Sequence, residues 1–203
     1  SLYSKPPINW FMSEKYDGYR ACYNPGDKQF YSRQNKLFRS PEWFKLSIPP
    51  KIKFDGELWA GRENFQLMGT VRKKEPIDEE WLQIQYIVYD LPDLQKPFKE
   101  RVEELQKIQR IATKRWKLIR KKFEYPYNTL ECPFVVCDQI QIKQESQLDE
   151  YYQTIIAGGG EGIMLKHPEC EYTNGRCHTM LKYKPTFDAE AMIIDYKQGA
   201  GKY

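Results

Sequence analysis

Apolar and polar positions along the chain alternate in short bursts. Tyr19 to Tyr23 and Gln29 to Ser32 flank the turn cluster Asn24-Pro25-Gly26-Asp27 and predict a β-hairpin. Strands are also predicted over Lys51 to Trp59, after the Pro49-Pro50 break, and over Leu82 to Tyr89, Phe134 to Ile142, Gly162 to Lys166, Met180 to Lys184 and Glu190 to Tyr196. The period changes between Pro97 and Lys122, where Phe98, Val102, Leu105, Ile108, Ala112 and Ile119 recur near helical spacing and predict one long helix with a single buried stripe. Ser40-Pro41-Glu42 reads as a helix start with Ser40 as cap. Ser146 with Asp149 resembles a capping box for a helix through Ile156, closed by Gly158-Gly159-Gly160. Several strands follow one another without a crossover helix, which predicts an α+β fold of antiparallel or mixed sheets flanked by helices.

Composition narrows the class. The chain has 203 residues, enough for one sizeable domain, with 40% hydrophobic residues and a net charge of +4. That mild basicity is compatible with nucleic acid without demanding it. No run is long enough for a bilayer span, and the first residues lack a secretory signal, so no membrane partner is expected. Five cysteines, at 22, 132, 137, 170 and 177, show no paired CxxC and no histidine at ligand spacing. Reduced thiols in an intracellular compartment are expected. A start without methionine and an end at Gly199-Ala200-Gly201-Lys202-Tyr203 are expected of a piece of a longer chain: residues 1–196 as a domain, 197–203 as a linker.

Four segments carry candidate chemistry. In Lys15-Tyr16-Asp17-Gly18-Tyr19-Arg20, a lysine precedes a carboxylate, a glycine and an arginine. Its plain alternative is a charged strand entrance. As a nucleophile the lysine would need to act as the free amine. In Asp55-Gly56-Glu57-Leu58 the two acids fall on one face of a strand, a costly arrangement when buried without a cation, a hydroxyl or a metal. Its alternative is a solvent-facing edge strand. Glu161-Gly162-Ile163-Met164-Leu165-Lys166 puts an acid at the mouth of an apolar strand. In Leu181-Lys182-Tyr183-Lys184-Pro185, two lysines on one face point to a bound phosphate or to a solvated basic face. Lys114, Arg115, Lys117, Arg120, Lys121 and Lys122 crowd the end of the long helix. They read either as a solvated face that suits the negative helix end or as a phosphate-tracking patch. His167 and His178 read as surface residues.

Taken in order, KYDGYR, YSRQNK, FDGELW, YIVYD, EGIMLK and LKYKP resemble the nucleotidyltransferase motifs of ATP-dependent DNA ligases, members of the covalent nucleotidyltransferase superfamily with RNA ligases and mRNA capping enzymes. The resemblance runs from about Phe11 to Tyr196 and implies an ATP-grasp-like nucleotidyltransferase domain. It implies Lys15 as the residue that becomes adenylylated, with Asp17 and Arg20 lining the site and Arg33 near the nick phosphate or the triphosphate. Ser13 and Glu14 adjoin the nucleotide, Ser13 toward adenine. Asp55 and Glu57 face the ribose and the reacting 3′ end, Tyr89 and Met164 the two faces of the base. Lys182 and Lys184 take the α-phosphate, and Glu161, with Asp55 and Glu57, the metal.

The implied cofactors are ATP and Mg²⁺, and the implied partner is nicked duplex DNA bound by a monomer. The family normally carries a further oligonucleotide-binding-fold domain, which the linker is expected to approach and which these residues do not encode. Lysyl-AMP formation, transfer of AMP to the 5′-phosphate at a nick and attack by the 3′-hydroxyl are the implied steps. The competing readings are an RNA ligase or capping-type enzyme, and a non-catalytic module that binds nicks or nucleotides.

Overall fold

A computed structural model describes residues 8–173, 180–185 and 191–196; for residues 180, 182–185 and 191–196 the description is of the backbone. Gly175, Arg176, Cys177, His178, Glu190 and the 197–203 segment lie outside it. The described chain divides into two compact units, one of residues 1–16, 95–100 and 137–203, the other of 17–94 and 101–136.

The first unit is built on a five-stranded antiparallel sheet. Its strands are β1 (Phe11–Glu14), β8 (Ile140–Gln141), β9 (Ile163–Lys166), β10 (Met180–Pro185) and β11 (Ala191–Tyr196), in the order β11-β10-β9-β1-β8. Met12, Leu165 and Leu181 are cross-strand partners and pack with Leu148, Tyr152 and Ile155 of helix α3 (Glu145–Ala157). The expected capping box sits two residues earlier than predicted: the Gln147 side-chain oxygen accepts the Gln144 N–H at 3.0 Å, so Ser146 and Asp149 fall inside the helix. A glutamine reaching back to the cap performs the same satisfaction of orphan donors.

The second unit is a six-stranded sheet in the order β4-β3-β2-β5-β6-β7. It comprises β2 (Tyr19–Asn24), β3 (Gln29–Tyr31), β4 (Leu37–Phe38), β5 (Phe54–Trp59), β6 (Gln85–Asp90) and β7 (Phe134–Val136), with only β6 and β7 parallel among its described pairs. The predicted hairpin is β2–β3. Helix α2 (Phe98–Ile119) and a 3-10 turn at Arg120–Lys122 match the predicted long helix. Leu105, Ile108 and Ala112 of its stripe, with Trp116 added, meet Phe54, Leu58, Tyr86 and Phe134 in one core. Tyr86 ties three strands together, its hydroxyl donating to the carbonyls of Ala21 (2.8 Å) and Phe54 (3.2 Å).

Other expectations are corrected. The run Phe134 to Ile142 is not one strand: it pairs with β6 as far as Val136, then resumes as β8 beside β1 in the other unit's sheet. An apolar run carries no mark of which sheet each part joins. Ser40 does not cap the short helix α1 (Glu42–Lys45). The Pro41 carbonyl receives the Phe44 and Lys45 N–H groups, and the Ser40 hydroxyl is buried with no hydrogen-bond partner among the described residues. The strand bearing Asp55 and Glu57 is no edge strand, because β5 lies between β2 and β6. Leu82 and Gln83, predicted as the head of a strand, belong to a 3-10 turn (Glu80–Gln83) instead.

Candidate active site

In the first unit, β1 hydrogen-bonds along its length to β9 and delivers Lys15 just past its end. The Lys15 N–H donates to the Gly162 carbonyl at 2.8 Å, continuing the ladder by one bond and fixing the base of the side chain. The Lys15 ammonium then contacts the Glu161 carboxylate, with 19% and 30% of the two side chains exposed. A pair this open is reachable by solute, and the screening there makes it worth little to stability. The same ladder aligns Ser13, Met164 and Lys182 as successive cross-strand partners on β1, β9 and β10. Only the backbone of Lys182 and Lys184 belongs to the described part of the structure.

Ser13 and Tyr16, which flank Lys15 in the chain, join Cys137 in a polar cluster, of which sequence reasoning missed Tyr16 and Cys137. Burial pushes the Cys137 thiol up to about 12, although the hydroxyls of Tyr16 and Ser13 hydrogen-bond its sulfur and pull the other way. Burial first, then the neighbouring Cys137 and Glu14, push the Tyr16 phenol well above its ordinary range. These groups stay neutral at physiological pH, and a buried neutral network holds its geometry without stranded charge. Cys137 offered no signal in sequence, being one apolar-looking residue after Val135-Val136.

In the second unit, Arg20 and Glu57 are direct cross-strand partners on β2 and β5. The Arg20 guanidinium reaches diagonally to Asp55, Nε to Oδ1 at 3.2 Å and Nη2 to Oδ2 at 2.7 Å. Asp55 is 2% exposed, so this fork supplies the cation that its burial requires. The Tyr89 hydroxyl donates to a Glu57 carboxylate oxygen at 3.3 Å. Burial, with Asp55 and Glu57 adding to it, raises the Tyr89 phenol well above its usual range, so it remains a donor. Phe54 and Leu58 enter the core that α2 covers, so Asp55 and Glu57, alternating with them, take the opposite face of the sheet.

Directly after Tyr89, Asp90 forms a second buried fork with Arg101, Nε to Oδ1 at 2.6 Å and Nη2 to Oδ2 at 3.2 Å, which nothing in the sequence marked. Asp17 and Arg33 are exposed, and Arg33 makes no hydrogen bond or ion pair among the described residues. Glu14 is half-buried beside Gly160. Among the described residues no group of three or more histidine, cysteine or acidic side chains is arranged to hold a metal ion, and no helix is long and apolar enough to cross a membrane.

Residues 3–184 match the family described as ATP dependent DNA ligase domain. The chain belongs to that family. As an ATP-dependent DNA ligase domain it is 28% identical to a DNA ligase of Haemophilus influenzae over 99% of its own length and 68% of that protein. It is 29% identical to a DNA ligase of Methanococcus aeolicus over 93% of its length, there spanning 34% of the relative. Among solved structures, a Lig E DNA ligase superposes with a TM-score of 0.67 at 22% identity, covering 97% of this chain and 79% of that one. A Chlorella virus DNA ligase-adenylate superposes with a TM-score of 0.66 at 19% identity, covering 88% and 62%. These likenesses establish the mixed α+β ligase-domain fold, and the expectation of that fold is met.

Proposed function

We propose that this ligase domain forms a covalent lysyl-AMP on Lys15 and passes the AMP to the 5′-phosphate of a nicked DNA strand for sealing. The observation that carries the reading is the placement of Lys15: its backbone is locked to Gly162 and its amine meets the Glu161 carboxylate. An ammonium has no lone pair, so attack on phosphorus requires that Lys15 first lose a proton. Glu161 is the group in contact that can accept it. The Lys15 nitrogen then bonds to the α-phosphorus of ATP as the bond to pyrophosphate breaks. A 5′-phosphate oxygen next displaces the lysine from that phosphorus, and a 3′-hydroxyl finally displaces AMP from the 5′-phosphate. Each step is an in-line displacement, in which positioning and neutralisation of charge on the oxygens supply most of the rate.

The other candidate residues take the roles that the ligase motifs imply. Asp55 serves as the anchor that aims Arg20 toward ribose or phosphate, since its two oxygens already hold the guanidinium. Glu57, with one oxygen held by Tyr89, is assigned to the ribose. Tyr89 and Met164 are assigned to the base with Ser13 and Glu14, Lys182 and Lys184 to the α-phosphate, and Asp17 and Arg33 to the nucleotide and nick phosphates. Mg²⁺ enters as part of the nucleotide substrate: it takes most ligands from phosphate and water and needs only one or two protein carboxylates. The part-exposed Glu161 fits that need, and Asp55, closed off by Arg20, fits it less well. When bound, the ion draws charge from the phosphate oxygens.

The test is a mass gain of one AMP on Lys15 after incubation with ATP and Mg²⁺, followed by movement of the label to nicked DNA. Lys15→Ala must abolish both; a labelled or sealing-competent Lys15→Ala protein would refute the mechanism. Preferential labelling by GTP would favour a capping-type relative instead.

A further inference from the structure

The 107–122 segment holds eight of the chain's 32 lysines and arginines and none of its 28 acids. The structure divides these eight into two kinds. Arg115 donates to the carbonyls of Leu46 (2.7 Å) and Ile48 (3.3 Å), and Arg120 to that of Leu130 (2.6 Å); both are occupied in holding the fold. Lys107, Arg110, Lys114, Lys117, Lys121 and Lys122 are exposed and make no ion pair or hydrogen bond among the described residues. At about 100° per residue, the first five of these lie on a single stripe of α2 and its 3-10 extension, about 80° wide and roughly 20 Å long.

Attraction to the negative helix end accounts for cations in the last turn alone. Lys107, Arg110 and Lys114 stand well before it. Glu103 is four residues from Lys107, spacing that favours an ion pair, yet the pair is not made. The stripe therefore concentrates positive charge that no side chain among the described residues neutralises. Because α2 covers one face of the sheet and Arg20, Asp55, Glu57 and Tyr89 take the other, this charge does not belong to the strand-borne site.

We propose that the outer face of α2 is a second phosphate-binding surface, which takes the sugar–phosphate backbone of duplex DNA away from the nick. The inference rests on the reading that DNA is the substrate. Roughly 20 Å of duplex presents on the order of a dozen phosphates, a regular row of charge that matches a regular row of cations. Ile111 and Leu118, 63% and 66% exposed, border the stripe. Two aliphatic side chains are too few to anchor a helical partner without a groove, and the cations outnumber them.

The test compares the full chain with the Lys107→Gln/Lys114→Gln/Lys121→Gln variant, measuring the affinity for nicked duplex as a function of salt. The slope of log affinity against log salt should become shallower by up to about three, near 0.9 for each phosphate that is no longer neutralised. Lysine-to-arginine replacement at the same positions should restore it. Removal of three equivalent charges at the exposed Lys28, Lys51 and Lys143 should leave it near the wild-type value. ATP-dependent labelling of Lys15 should be unchanged in all variants. An unchanged slope, an equal loss from the control positions, or a parallel loss of labelling would overturn the proposal. Loss of binding in Ile111→Ser/Leu118→Ser at full positive charge would also overturn it, in favour of a protein-docking face. Failure of the wild-type chain to bind nicked DNA at all would instead refute the proposed function, so the two are separable.

Discussion

Gly56→Ala is the sharpest test of how the paired acids are held. Gly56 stands between Asp55 and Glu57 on β5, in the middle of the six-stranded sheet. A Cβ built there falls 2.3 Å from the Ile87 carbonyl oxygen, 2.9 Å from a Tyr86 ring carbon and 3.1 Å from the Ile87 carbonyl carbon. None of these is the loose end of a flexible side chain. The carbonyl belongs to β6, and the Tyr86 ring is fixed by its hydroxyl bonds to Ala21 and Phe54. Relief therefore demands that β5 and β6 part, and overpacking of this kind costs about 2 kcal/mol or more. For a chain of this size that corresponds to a fall in Tm of about 4 to 8 °C. The shift also moves Glu57, whose cross-strand partner is Ile87 itself, so AMP transfer should fall further than stability alone explains. The control is Gly69→Ala, where an added Cβ meets nothing within 4 Å among the described residues. Thermal unfolding and Lys15 labelling of both variants decide the matter. A Gly56→Ala protein that melts within about a degree of wild type and of Gly69→Ala would show that the sheet gives way easily, and the reasoning would fail.

Arg101→Met, which strands the buried Asp90, should cost about 3–5 kcal/mol in urea unfolding, while the Asp90→Leu/Arg101→Met double variant recovers most of it; equal losses in the two would refute a compensated buried pair. Tyr89→Phe, which removes only the hydroxyl bond to Glu57, should slow labelling by less than about tenfold, a cost of about 1 kcal/mol. Tyr89→Ala, losing the ring, should be much slower, and a Phe variant as impaired as the Ala variant would contradict that order. Cys137 and Cys132 are raised to about 12 and about 11, so they keep their protons when folded while the unfolded chain ionises above about 9. The unfolded state then binds fewer protons, so stability from these thiols is intact below about pH 9 and falls as pH rises toward 11–12, by about 1.4 kcal/mol per pH unit for each thiol. Unfolding measured from pH 7 to 10.5 should show that decline, and stability that rises over the alkaline limb would count against it.

What could be read from sequence and what could not divides along the range of the interaction concerned. Helix α2 was legible because its stripe is a local period, and the β2–β3 hairpin because its turn chemistry is contained in four residues. The candidate site was legible as a set of segments through their resemblance to ligase motifs. The geometry inside that set was not. Lys15 and Glu161 stand 146 positions apart, and no local pattern says that they touch. The fork between Arg20 and Asp55 depends on β2 and β5 pairing in one register; a slip of one residue would turn Arg20 away from the acids.

The two glycines of the charged motifs show why a motif can be recognised before it is understood. A Cβ on Gly18 would lie 2.1 Å from the Leu58 carbonyl oxygen, and one on Gly56 would lie 2.3 Å from that of Ile87. In both places a neighbouring strand's backbone occupies the volume that a side chain would need. Gly18 lets the head of β2 close onto β5, and Gly56 lets β5 close onto β6, so that three strands draw together around Arg20, Asp55, Glu57 and Tyr89. The fork between Arg20 and Asp55 spans two of these strands, β2 and β5. In sequence these glycines read as permissive positions between functional ones. In the fold they leave room for a neighbouring strand's backbone beside the charged side chains.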